Sequence, residues 1–141
     1  MKLLPNGVYA AEDAADLGPQ IDSISELQAF VRHVVMSRYW RRVSDIREIN
    51  LVLTWETVTA AWVEKGRGRI QLHSPISKLG ILHEMAHIPH YNGVSTRPDH
   101  NREWIRTYVG LVDHFLGARQ CRRLREEIIA RKVYGYRALV D

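Results

Sequence analysis

Midway along the chain stands the pentapeptide His83-Glu84-Met85-Ala86-His87, which constrains the local fold more than any other feature. Two histidines four positions apart project from one face only on a helix, where a turn separates them by ~6 Å of rise. Both imidazoles can then reach one zinc ion at ~2.0–2.1 Å with an unstrained backbone. Glu84 lies beside that ion rather than on it, because it is turned ~60° around the helix from His87. A carboxylate so placed can take a proton from metal-activated water and return it to a leaving group. With seven His and nine Glu in 141 residues, the pattern would arise by chance in roughly 2% of such chains. The flanking residues supply the helix. Ser74 is a good N-cap, Pro75 suits the first helical position, and Pro89 stops the helix after about His87 or Ile88.

A catalytic zinc site ordinarily has three protein ligands and one open position. Pro89 and Gly93 let the chain reverse, and His100 then opens the next helix, four residues before Trp104 at the start of its buried stripe. His100 is therefore the expected third ligand. Glu103 is its competitor, the alternative being a solvated carboxylate in the first turn of a helix. His90 follows the turn too closely to ligate and reads as a loop residue or as a donor behind the ligands. His33, His73 and His114 read as structural or surface-borne. Tyr91 and Tyr108 could donate to a developing oxyanion, with packing the plainer role for each. The alternating segment 69–73, just before the helix, reads as an edge strand able to align an extended peptide by main-chain hydrogen bonds.

The remaining elements predict an α+β domain around this helix. Residues 1–22 carry Pro5, Gly7, Gly18 and Pro19 without sustained periodicity and read as an irregular lead-in. Ser23 and Glu26 form a capping box, and Leu27, Phe30, Val31 and Val34 recur at helical spacing. That helix is expected to reach about Tyr39, with Arg38, Arg41 and Arg42 at the negative end of its dipole. Segments 49–54, 57–64 and 69–73 are strand candidates, the last two joined as a hairpin through Lys65-Gly66-Arg67-Gly68. Asp99 can cap a helix presenting Trp104, Tyr108, Leu111, Val112 and Phe115 and ending near Gly117. A last helix over about 119–133 buries Cys121, Leu124 and Ile128. The expected architecture is one zincin-like domain over 1–141, a small three-stranded sheet with flanking helices.

Composition restricts the setting. Apolar residues make up 45% and charged ones 26%, ordinary values for a soluble domain, and no apolar run nears the ~20 residues that span a bilayer. Met1-Lys2-Leu3-Leu4-Pro5 breaks after two leucines and does not read as a secretory signal. The single cysteine, Cys121, excludes an internal disulfide and a four-cysteine zinc ribbon, and is expected to be a small buried residue rather than a nucleophile. A cytoplasmic protein without membrane attachment is the expectation. The net charge of +4 hides an asymmetry: one base against five acids in residues 1–30, nineteen bases against eleven acids after them. That basic body could attract nucleic acid, although a solvated, arginine-rich surface is the simpler reading.

The run Gly-Arg-Ile-Gln-Leu-His, a short connection, Ile-Leu-His-Glu-Met-Ala-His and then His-Asn-Arg-Glu-Trp together resemble the compact SprT-like zincins. The small metallohydrolases of actinobacteria and their phages are especially similar. The resemblance covers roughly residues 50–117. In that family the third histidine opens a His-Gly-x-x-Phe/Trp motif; His100 and Trp104 match its ends, and Asn101 replaces the glycine. The resemblance implies that His83, His87 and His100 bind zinc and that Glu84 is the catalytic base. The cysteine-rich ribbon of longer relatives is absent, and with it the basis for extending their nucleic-acid-linked role to this chain. The expected function is zinc-dependent hydrolysis, of peptide bonds in particular. Three alternatives are a hydrolase of non-peptide amides, a structural zinc domain, and a non-enzymatic nucleic-acid-binding protein using Arg119, Arg122, Arg123 and Arg125.

Overall fold

The hairpin expected through residues 65–68 forms, with a tighter turn. In the computed structural model, which describes residues 7–54, 59–72, 75–91, 93 and 100–140, strand β3 (Ala60–Glu64) pairs antiparallel with β4 (Arg67–Leu72), and Glu64 stands opposite Arg67. Only Lys65 and Gly66 remain for the turn, at φ of 53° and 76°. Positive φ at both central positions is the geometry whose twist matches the flanking strands. Gly66 adopts it without a steric penalty; Lys65 does not.

Strand β2 (Ile49–Leu53) pairs parallel with β4, and the sheet order is β2-β4-β3. The expectation of an edge strand at 69–73 is therefore wrong: β4 is the central strand, hydrogen-bonded on both sides. Its alternation has a different cause, since Gly68, Ile70 and Leu72 are buried on the inner face while the residues between them are not.

These strands belong to a unit spanning Gly18–Pro98. Within it, α2 (Ile24–Val35) is capped by Ser23, whose side chain accepts from Glu26 N. The single helix expected to run to Tyr39 instead breaks and restarts. Ser37 Oγ donates to Val34 O and accepts from Trp40 N, closing α2 and capping α3 (Arg38–Val43). Two short strands, β1 (Gln20–Ile21) and β5 (Ile76–Ser77), pair antiparallel. Helix α4 (Lys78–His87) follows, and a 3-10 turn over Ile88–His90 contains Pro89. α2 packs on β2, and α4 on β3 and α2.

The second unit joins Met1–Leu17 to Asp99–Asp141. Part of the stretch read as irregular forms helix α1 (Val8–Ala15), which buries Val8, Ala11 and Ala15 and packs on α6 (Ala118–Ala130). Gln120 fixes its end: Nε2 donates to Ala15 O at 2.9 Å, and Oε1 accepts from Leu17 N at 2.8 Å. Between them in sequence, α5 (Arg102–Leu116) buries Trp104, Ile105, Tyr108, Leu111 and Val112. The fold is α+β, with a three-stranded sheet and flanking helices. His73, Ser74, Thr57, Asp99 and most of the 90–98 loop, for which expectations were stated above, lie outside the described residues.

Candidate metal centre

Helix α4 begins at Ser77, three positions after the expected cap, and the Ser77 side chain accepts from Gly80 N at 3.1 Å. The start is tight: a Cβ on Gly80 would fall 2.9 Å from Ile76 Cγ1, so glycine lets the first turn sit against β5. From there Leu79 and every residue from Ile81 to Ala86 is buried. A helix enclosed on most sides carries polar groups only where they are satisfied or used. The polar groups here are the motif. His83 is 1% exposed, Glu84 4%, and His87 half-buried. The two imidazole rings stand 5.3 Å apart at 64°, as spacing by one helical turn requires. Pro89 falls in the 3-10 turn directly after His87, so the α-helix ends where the sequence indicates.

Glu84 is held by the residue that leads into β3. Thr59 Oγ1 donates to Glu84 Oε2 at 2.8 Å, and the same oxygen lies 3.9 Å from His83 Nε2. A buried carboxylate without such partners would be strongly destabilising. Nothing in the local sequence around residue 84 singles out Thr59. The available signal is the strand period, which places it in phase with Ala61 and Val63.

His100 is buried at 6% exposure and lies on Trp104, ring centroids 4.3 Å apart; Trp104 in turn lies on Tyr108 at 4.8 Å. Asn101 follows it as the N-cap of α5, its Oδ1 accepting from Trp104 N at 2.9 Å. The Asn101 side chain is thus a capping group. Tyr9 of α1, which sequence reasoning passed over, meets the His100 ring edge-on at 6.0 Å.

One ligand atom from each of His83, His87 and His100 lies within 4.8 Å of the other two. Three nitrogens bound tetrahedrally to one ion at ~2.0–2.1 Å stand ~3.4 Å apart, so the 4.8 Å bound exceeds that spacing by about 1.4 Å. Three imidazoles suit zinc, copper, iron or nickel. The three histidines expected as ligands are brought together, close enough to hold a metal ion. Glu103 is exposed and outside the cluster, and so are His33, His90 and His114. Tyr108 is fully buried in the ring stack, the packing role.

The α6 arginines proposed for nucleic acid divide. Arg119 and Arg122 are exposed. Arg123 instead donates to Ala14 O and Ala15 O at the end of α1, and Arg125 to Leu139 O at 2.9 Å. Comparison of the chain with protein-family models, with curated proteins and with solved structures returns no match.

Proposed function

We propose that this chain is a zinc-dependent hydrolase of the SprT-like zincin kind, acting on peptide bonds in the cytoplasm. The observation that carries the reading is the convergence of three imidazoles with a buried carboxylate one residue after the first of them. His83, His87 and His100 would hold the ion. When bound, it would supply Lewis acidity, polarising a carbonyl and making water a stronger acid. Glu84 takes a proton at its carboxylate and returns it to the leaving amine. The low exposure of His83, Glu84 and His100 limits competing water, which strengthens each of these interactions.

Three protein ligands, rather than four, form the cluster among the described residues. That count favours a catalytic over a structural zinc site. With β4 central, the substrate-aligning role passes to β3, the end strand beginning next to Thr59 and Glu84, whose outer side is free of sheet pairing among the described residues. A non-peptide amide would use the same residues, and substrate profiling separates the two.

The test is metal content by elemental analysis, together with hydrolysis of fluorescein-labelled casein. Wild type should carry one zinc per chain and His100→Ala much less. Glu84→Gln should keep its zinc and lose about 100-fold or more of the hydrolysis. Undiminished hydrolysis by Glu84→Gln would sink the assignment, and unchanged zinc in His100→Ala would move the third ligand elsewhere.

A further inference from the structure

Thr59 leads directly into β3, and its hydroxyl reaches Glu84. In the β3–β4 ladder Ala61 stands opposite Ile70 and Val63 opposite Gly68, and Ile70 is fully buried. Directly opposed residues project to one face of a sheet. Thr59 stands immediately before this strand, two positions before Ala61. Helix α4 packs on β3, and there the Thr59 hydroxyl meets the Glu84 carboxylate at 2.8 Å. Valine has the same shape, but only a hydroxyl can donate to a carboxylate.

The oxygen that accepts from Thr59 is also the one 3.9 Å from His83 Nε2. A carboxylate this close to an imidazole of the cluster has two alternatives. It can swing onto the ion as a further ligand, filling the position a reaction needs open, or it can stay beside the ion as a proton acceptor. The threonine donor satisfies one lone pair and ties the side chain to the residue that leads into β3, which selects the second.

We infer that Thr59 is a positioning residue: its hydroxyl fixes the Glu84 carboxylate beside the three-histidine site, in the orientation from which it exchanges a proton. The inference rests on the hydrolase reading above and deepens it. Thr59 touches no reacting atom and acts through Glu84.

The experiment compares wild type, Thr59→Val and Thr59→Ser, each labelled with 13C at the glutamate side-chain carboxyls. The Glu84 resonance is identified by its absence in Glu84→Gln. The spectrum of the metal-free protein reads the contact without requiring activity, and casein hydrolysis of the zinc-loaded protein reads its consequence. Thr59→Val should move the Glu84 resonance and lower kcat by about 10-fold to 100-fold with KM little changed. Its zinc content should equal that of wild type, and Thr59→Ser should restore both the resonance and most of kcat. A Glu84 resonance unmoved in Thr59→Val, or a kcat equal to wild type, overturns the inference. So does a resonance moved in Thr59→Val when the wild-type protein binds zinc but cleaves no casein: the contact then exists, the peptide-hydrolase reading fails, and with it the catalytic part assigned to Thr59.

Discussion

Desolvation penalises charge wherever it occurs, and Glu84 and Cys121 meet that penalty in different ways. Glu84 has a hydroxyl donor at 2.8 Å and a place in the proposed chemistry. Cys121 of α6 is buried, with its Sγ 3.8 Å from Val109 O on α5, a weak hydrogen bond. Burial pushes its thiol above the ordinary range; the Asp113 carboxylate adds to the effect and the Arg125 guanidinium opposes it. Only the thiolate is a nucleophile, so both exposure and ionisation hold the residue inert. Iodoacetamide at about pH 8 should label native Cys121 at least tenfold more slowly than the same chain in concentrated guanidinium, by mass spectrometry. Equal rates would show that the thiol is neither shielded nor raised. The small buried role expected from its helical spacing is the one it has.

At the scale of elements, capping decides where the site helices begin. Asn101 sits beside His100 and accepts from Trp104 N, so it fixes the turn on which the third histidine stands. Asn101→Ala should cost about 1 kcal/mol in denaturant unfolding, whereas Asn101→Gly should cost only a few tenths. Equal losses for both variants would mean that the Asn101 side chain does not cap. Such local devices account for most of what the sequence revealed. The motif helix, its end at Pro89, the Ser23 cap and the 65–68 hairpin all depend on residues a few positions apart. Helix α1 was missed because its local signals are weak. Gly7 gives no side-chain cap, its first turn has no acidic residue, and its buried face is largely alanine. Ser37 offered a restart signal inside what otherwise reads as one helix, and the longer apolar period concealed it. The central position of β4 was illegible for a different reason. Parallel pairing with β2 joins residues about twenty positions apart, and no turn between them encodes it. Thr59 was missed for the same reason, since its partner lies 25 positions away.

At the scale of the whole molecule, charge and metal pull the reading in different directions. The +4 net charge suggests an anionic partner, yet Arg123 and Arg125 are committed to backbone carbonyls within the fold, and their guanidinium groups act there as structural donors. The imidazoles of His83, His87 and His100 lie close enough together to hold a metal ion. Unfolding separates them, because His100 follows His87 by thirteen positions of chain, so an ion bound by all three stabilises the folded state by mass action. At a free zinc concentration 100 times Kd the gain is about 2.7 kcal/mol. For a chain of 141 residues that raises the melting temperature by roughly 8 °C. Scanning calorimetry of the chelator-treated protein, with and without added zinc, should show this rise in wild type. It should persist in Glu84→Gln, which keeps all three ligands, and largely vanish in His100→Ala. A rise of equal size in His100→Ala would mean that zinc stabilises the chain through other groups. Loss of the rise in Glu84→Gln would make the carboxylate a ligand, and would remove it from the role of proton acceptor.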